Sequence, residues 1–260
     1  MVRAPWLSIF PGLALTLAVF ALQLDFVAAV AALSGRPLAS VLMDYTNLYI
    51  RLGLGRDLDS AHPTWQEYVG GLPAANDRRE WTYRFYLARA DAVAGPTVVA
   101  TSGCFAYSRL SDERIRLHFQ NVETDGPSPL AADRVGGRQA ELAALFESVP
   151  APVRVIGASW LYNLEAHRRL FPPSYLATAH VLTGRFRHMP LWGQFLDRQG
   201  SVRAAPAGQL LDRLARQSSL DGLDHCFPLP VLSVEAPVQD FQDFYRHAAP
   251  RLGAPPPAAR

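Results

Sequence analysis

The sequence contains no lysine, and its 25 Lys/Arg positions are all arginine. This absence excludes catalysis through a lysine Schiff base and phosphate binding through the lysine of a phosphate-binding loop. Arginine keeps its charge at any working pH and presents a planar fork of donors, so it binds anions well but is a poor base. Any anion site in this chain must therefore use arginine or backbone amides. The heavy use of alanine, arginine and proline beside this absence is typical of coding bias in a GC-rich bacterial genome.

Cysteine and net charge are also scarce. Cys104 and Cys226 are the 2 cysteines, and neither lies in a C-x-x-C pair, which argues against a structural zinc site. A formal net charge of +2 argues against a protein that binds nucleic acid by charge alone. The sequence predicts no cofactor and no metal. A hydrophobic fraction of 49% is ample for a large core.

The hydrophobic segment over residues 1–24 has three interpretations. Residues 6–24, as a helix, are long enough to be a single-pass membrane anchor. A secretory signal would use Ala29-Val30-Ala31 as its cleavage pattern. A start site assigned too early is the third, because an amphipathic pattern typical of a soluble helix begins at Asp25. The predicted location is cytoplasmic, and the alternative is a single-pass membrane protein anchored by residues 6–24.

The order of patterns predicts an α+β fold. The N-terminal part favours helices, with a break at Gly35. Residues 97–121 then indicate an antiparallel strand hairpin, and residues 153–157 have the composition of a buried strand. We therefore expect a helical N-terminal part followed by a mixed sheet with packed helices. The predicted organisation is one globular domain over residues 25–252 and a disordered tail over residues 253–260.

Two side chains are candidates for catalysis. Ser159 follows the predicted strand at a turn into a helix, where a hydroxyl can lie beside the first helical amides. Position 161 is leucine, so the pattern departs from G-x-S-x-G, and the simpler interpretation is that Ser159 caps the helix. The other candidate is His118, on the second arm of the hairpin. With Glu123 and Asp125 it also suggests a histidine–carboxylate metal set, but this spacing is not a specific metal motif.

Arginines and aromatic residues crowd together between residues 154 and 203. If they converge, the guanidinium groups would bind a phosphate or carboxylate, and an aromatic face would stack on a ring. The simpler interpretation is a solvated surface. The candidate binding residues are Arg154, Arg168, Arg185, Arg187, Trp160 and Trp192.

Two stretches resemble an uncharacterised family of predicted proteins from GC-rich proteobacteria. One is Asp44-Tyr45-Thr46-Asn47-Leu48-Tyr49 through Arg56, and the other is Ser159-Trp160-Leu161-Tyr162-Asn163-Leu164-Glu165 through Phe171-Pro172-Pro173. The resemblance implies a bacterial origin. It carries over no activity, cofactor or site residue.

Two classes of function remain open on these grounds. The first is an enzyme or binding protein for a small anionic molecule, built on residues 154–203. An acyltransferase-like architecture is one form of it, because a hairpin followed by helix, strand and helix is compatible with that fold. That is a fold-level analogy, and the glycine-rich pyrophosphate loop that acyl-coenzyme A enzymes place before a helix is absent.

The second class is a structural or interaction protein, membrane-tethered if residues 6–24 are an anchor. Its docking surface would be the helical N-terminal half. The expected partner is a small anionic ligand, with no nucleic acid. Whether the chain is an enzyme, and its oligomeric state, are left open by the sequence.

Overall fold

The computed structural model describes residues 15–89, 97–123 and 126–252. Contacts divide the chain into two compact units. Unit 1 is Met1–Gly95 with Leu182–Val231, and unit 2 is Pro96–Val181 with Leu232–Arg260. One domain over residues 25–252 stays a prediction, because two compact units can belong to one domain. The predicted tail lies outside the described residues.

The described residues form eleven α-helices and six β-strands. The helices are α1 (Leu17–Ser34), α2 (Leu38–Tyr45), α3 (Leu48–Arg51), α4 (Pro63–Gly71), α5 (Arg78–Leu87), α6 (Val135–Glu147), α7 (Glu165–Arg168), α8 (Pro173–Ala177), α9 (Met189–Gly193), α10 (Ala204–Leu214) and α11 (Val238–Leu252). The strands are β1 (Val98–Ser102), β2 (Phe105–Ser111), β3 (Arg114–Phe119), β4 (Arg154–Ser159), β5 (His180–Leu182) and β6 (Val231–Pro237). Helices precede a mixed sheet, so the predicted α+β class is confirmed.

Helix α1 is a core helix of unit 1. It packs against α2, α5 and α10, and it ends at Gly35, whose φ of 65° is the left-handed conformation that suits glycine. Phe20 contacts Tyr86, and Phe26 contacts Trp192, with ring centroids 4.7 Å and 5.5 Å apart. The helix continues through Asp25 without a break, so the change of pattern there does not mark a helix start.

Among the described helices, α1 is the one long and apolar enough to cross a membrane. Length and composition alone make this weak support for an anchor, because 44% of its residues are buried inside the protein and core helices pass the same test. Residues 6–14 of the predicted anchor lie outside the described residues.

The sheet in unit 2 has the order β1-β2-β3-β4-β6-β5. Strands β1, β2 and β3 pair antiparallel in sequence, so the predicted hairpin is a three-stranded meander. Strand β3 pairs parallel with β4, and β6 pairs antiparallel with β4. The last strand of the chain therefore lies between β4 and β5.

The core of unit 2 lies between this sheet and helices α6 and α11. In β3, Ile115 and Leu117 alternate with exposed Arg114 and Arg116, which is the pattern of a half-buried strand. The buried residues pack with side chains of both helices, and α6 contacts α11 directly. One face of the sheet is thus the core face, and the opposite face carries polar side chains.

The sequence also predicts a helix from about Leu130 and a strand over residues 175–182, and both differ in extent from the structure. The helix expected from Leu130 has its α-helical part only from Val135, after a short 3-10 turn. The strand expected over residues 175–182 is reduced to β5, because Pro173 occupies the first turn of α8, where proline is well tolerated, and that helix includes Tyr175.

Candidate functional site

The parallel strands β3 and β4 part at their carboxyl ends. They pair only over residues 114–116 and 154–156. Beyond that point β3 still pairs with β2, and β4 still pairs with β6. Residues 117–119 of β3 therefore pair with β2, and residues 157–159 of β4 pair with β6. The two stretches do not pair with each other. We call this opening the strand gap.

The strand gap is a natural place for a ligand. In open sheets with parallel strands, ligands bind at the carboxyl ends of the strands, where neighbouring connections separate. Backbone N–H and C=O groups without a ladder partner need hydrogen bonds from elsewhere. An extended molecule that carries amide groups can supply them in the way that an added strand does.

His118 lies on β3 beside the strand gap, on the face opposite to the core. Its Nε2 atom is 2.8 Å from Oγ of Ser108 on β2. The register pairs His118 with Ala106 and Arg116 with Ser108, so the serine and histidine are diagonal neighbours on one face. Ser108 is buried at 8% exposure, so its hydroxyl orients the imidazole and is poorly placed to meet a substrate itself. His118 is half-buried, and its geometry suits a positioned base.

The core face of the gap carries two tyrosine hydroxyl groups. A Cβ atom added to Gly157 would lie 2.0 Å from Oη of Tyr162 and 2.3 Å from Oη of Tyr175, so both hydroxyls pack on the backbone of β4. The two oxygens are 2.8 Å apart and share a hydrogen bond. Burial raises the pKa of both Tyr162 and Tyr175, so both stay protonated at neutral pH and one can donate a hydrogen.

His167 is the third polar ring beside these tyrosines. It is 2% exposed, and its ring centroid lies 4.9 Å from those of Tyr162 and Phe171 and 5.9 Å from that of Phe119. Burial lowers the pKa of His167 to about 3, and its Nδ1 atom has no hydrogen-bond partner. The ring is therefore a neutral member of the core at neutral pH.

The loop that follows β3 ends in a charged network. Arg134 and Arg138 both donate to the carboxylate of Glu123. Nη1 of Arg138 also lies 2.6 Å from a carboxylate oxygen of Glu141 and 2.8 Å from Sγ of Cys104. The network ties the start of α6 to the carboxyl end of β3 and to the β1–β2 turn.

The same network includes Cys104 and Glu123. Its contacts therefore bear on the reactivity of the Cys104 thiol and on the predicted metal set. Burial raises the pKa of Cys104 although Arg138 lies beside it, so the thiol is not activated. Glu123 is engaged with two arginines, His118 is paired with Ser108, and Asp125 lies outside the described residues. Within the described ranges no group of three His, Cys, Asp or Glu side chains could hold a metal ion.

Ser159 is the cap of the short 3-10 helix Trp160–Asn163. Its Oγ atom accepts a hydrogen bond from the backbone N–H of Leu161 at 3.1 Å. The residue lies at the end of β4 and so borders the strand gap, while Trp160 begins the helix that follows.

The predicted arginine cluster is divided between the units. Arg154 lies in unit 2 at the start of β4, where it and Arg114 both donate to Glu235. This is the opposite end of the strand from the gap. Arg168, also in unit 2, lines an open groove of about 450 Å³ with Arg169 and Phe171.

The remaining candidates belong to unit 1. Arg187 lies 3.9 Å from a carboxylate oxygen of Asp44, and Arg185 contacts His188 at 3.5 Å. Trp192 is buried and donates to the carbonyl of Phe186 at 2.7 Å, so it is a core residue. The predicted binding residues are thus divided between the two units, and their convergence on one ligand stays a prediction.

Sequence reasoning missed the most suggestive residues of the gap, which are Ser108, Gly157, Tyr162 and Tyr175. One signal was present: a glycine inside a strand pattern marks close approach of another group to the backbone. The pairing of Ser108 with His118 depends on register, which the sequence alone did not supply.

No family model, curated protein or solved structure matches the chain. The chemistry of the strand gap is therefore inferred from its own residues.

Proposed function

We propose that unit 2 binds an anionic acyl thioester of the acyl-coenzyme A type in the strand gap and transfers its acyl group to a small amine. The observation that carries this proposal is the separation of β3 and β4 at their carboxyl ends, with His118 at the edge of the opening. The order of hairpin, helix, strand and helix is compatible with an acyltransferase-like architecture, which remains a fold-level analogy.

The strand gap suits the extended arm of such a thioester. The arm carries amide groups that could lie along residues 117–119 and 157–159, where β3 and β4 do not pair with each other. This placement would align the thioester along the opening. The reacting carbonyl would then lie between the face that carries His118 and the face that carries the two tyrosine hydroxyls.

Anion recognition would use Arg134. The side chain is 29% exposed and lies at the start of α6, near the carboxyl end of β3, because it pairs with Glu123. A phosphate group offers more acceptor oxygens than one carboxylate and would compete with Glu123 for this guanidinium. The proposal thus moves anion binding from Arg154, which lies at the other end of the strand, to Arg134.

The chemistry follows from two proton positions. The amine nitrogen attacks the thioester carbonyl, a C–N bond forms, and the C–S bond breaks. His118 takes the proton that the amine loses, and Ser108 holds the imidazole in place. The imidazolium of His118 then returns this proton to the leaving thiolate, so the products are an amide and a thiol, while the hydroxyls of Tyr162 and Tyr175 stay protonated because they are buried.

The first experiment separates binding from transfer. We expect acetyl-coenzyme A to raise the Tm of the full chain, and we expect His118→Asn to keep this shift while the rate of acyl transfer falls by about 100-fold or more. Arg134→Gln should weaken binding by about 10-fold, because one charge-assisted contact is lost.

The matched control is Arg246→Gln. Arg246 is also in unit 2, is 67% exposed and pairs with Asp243 on its own helix, so its loss should leave binding unchanged. If no acyl thioester moves the Tm at millimolar concentration while the chain captures a specific partner, the interaction-protein class replaces this proposal.

Helix α1 supports a location away from the membrane. Its buried side chains, including Phe20 and Phe26, contact other parts of unit 1 and would have to leave the core to face lipid. We expect the full chain to remain in the supernatant after high-speed centrifugation of a cell lysate without detergent. Recovery only with detergent would favour the anchor.

A further inference from the structure

Unit 1 contains a buried arginine that has no counter-ion among the described residues. Arg51, the last residue of α3, is 4% exposed, and its Nε atom has no hydrogen-bond partner. In the described part of the chain it takes part in no ion pair. Burial lowers its pKa to about 10, and the nearby Tyr86 side chain offsets this effect in part. The guanidinium is therefore still charged at neutral pH. A buried, uncompensated charge is destabilising, and a partner of opposite charge would offset this effect.

Two further buried side chains with unpartnered atoms belong to Gln23 and Asn47, which are joined by a hydrogen bond, and Asn47 is joined to Arg51 by a backbone hydrogen bond. The backbone N–H of Asn47 donates to Oε1 of Gln23 at 3.1 Å, and the N–H of Arg51 donates to the carbonyl of Asn47 at 3.0 Å. Residues 47 and 51 are thus one turn apart on the same face. Gln23 is 0% exposed and Asn47 is 1% exposed.

The unpartnered atoms define a donor and acceptor pattern. Nε2 of Gln23 and Nε of Arg51 are donors, and Oδ1 of Asn47 is an acceptor. The side-chain nitrogen of Asn47, Nδ2, donates to Sδ of Met189, 3.3 Å away. A water molecule could satisfy the neutral amides but would not compensate the charge of Arg51. Compensation of the Arg51 charge therefore requires an anion.

We propose that Arg51, Gln23 and Asn47 form a buried site in unit 1 for a small oxyanion that carries one hydroxyl group. The anion's oxygen atoms would accept from Arg51 and Gln23, and its hydroxyl would donate to Asn47. Hydrogencarbonate and hydrogenphosphate share this chemistry. The site is separate from the strand gap of unit 2 and does not depend on acyl transfer.

The test measures Tm at pH 7.5 and constant ionic strength while hydrogencarbonate, hydrogenphosphate, acetate or chloride is varied. We expect a saturable rise of about 5 °C for a hydroxyl-bearing oxyanion at roughly 100 times its Kd. Acetate should give less, because it cannot donate to Asn47, and chloride should give no saturable rise. A comparison of the Tm rises with hydrogencarbonate and with hydrogenphosphate shows which of the two oxyanions the site prefers.

Two variants make the result decisive. Arg51→Met should abolish the specific rise and leave only the general salt effect. Asn47→Asp changes one atom and places a carboxylate one turn from Arg51, so the chain supplies its own counter-ion and the anion response should be lost.

Arg138→Met is the matched control, because Arg138 is a buried arginine that already has carboxylate partners in unit 2. It should keep the oxyanion response. Equal responses in the wild type and Arg51→Met, or a full response in Asn47→Asp, would overturn the proposal.

Discussion

Arg51 in unit 1 and Arg138 in unit 2 are both buried, at 4% and 6% exposure, but their surroundings differ. Arg138 contacts Glu123 and Glu141 and joins three segments of unit 2. Arg51 has no carboxylate partner among the described residues, and the titratable side chain that acts on it is Tyr86. The comparison shows that burial of an arginine does not by itself reveal its role. A structural arginine has a compensating charge within the chain, whereas a buried arginine without one is a candidate for binding an anion.

The largest change in the free energy of unfolding is expected for Arg138→Met. The substitution keeps most of the side-chain volume but leaves Glu123 and Glu141 without their shared cation. We expect a loss of about 3 kcal/mol in the free energy of unfolding, because removing one partner of a buried ion pair is strongly destabilising. Urea denaturation measures it. A loss below about 1 kcal/mol would mean that the network contributes little and would remove the contrast with Arg51.

His167 tests a third way to bury an ionisable group, which is to keep it neutral. Its pKa in the folded protein is about 3, below its ordinary value of 6.5, so the unfolded chain takes up the proton first as pH falls. The stability from the neutral ring is complete above pH 6.5 and decreases toward pH 3. Between pH 6.5 and 5 the decrease is about 2 kcal/mol.

The variant His167→Leu should therefore flatten the dependence of stability on pH across that window, measured by urea denaturation at several pH values. His180→Gln, at an exposed position in unit 2, should leave the slope unchanged. A wild-type slope retained in His167→Leu would mean that another group controls acid sensitivity.

Arg51→Met should have a smaller effect of opposite sign to that of Arg138→Met. In a buffer free of oxyanions, replacing an uncompensated buried charge by an apolar side chain should raise the free energy of unfolding by about 1 kcal/mol. Denaturation of wild type and variant side by side measures the difference. A destabilisation as large as that of Arg138→Met would show that Arg51 has a compensating partner within the chain.

The smallest effect is expected for Arg84→Gln on α5. Arg84 is 75% exposed and pairs with Glu80 one turn earlier. Solvent screens such a pair, so we expect a loss of about 0.3 kcal/mol. A loss near that of Arg138→Met would show that burial is not what separates strong from weak ion pairs in this chain.

The elements of the fold were more predictable than the site. The break at Gly35 and the strand at residues 153–157 follow from local signals, because a glycine in the left-handed region and a run of β-branched residues act within a few residues. The insertion of β6 between β4 and β5 is set by pairing over long sequence distances, which no local pattern encodes.

The candidate site shows the same limit at the level of single residues. His118 was a candidate from its position on a strand, but its partner Ser108 is ten residues away and meets it only in the observed register. The spacing of arginines between residues 154 and 203 suggested convergence. The chain instead leaves unit 2 after Val181 and returns at Leu232, so neighbours in sequence belong to different units.

The position of β6 also has a consequence for synthesis on the ribosome. Residues 231–237 lie inside the sheet, between β4 and the edge strand β5, although they are made after the other described strands. Until they emerge, one edge of β4 has no partner, and residues 182–231, which complete unit 1, must be translated in between. Both units therefore stay incomplete until residues 231–237 have been translated. A nascent chain that stalls before residue 231 presents an open strand edge to other chains, which is a recognised route to aggregation.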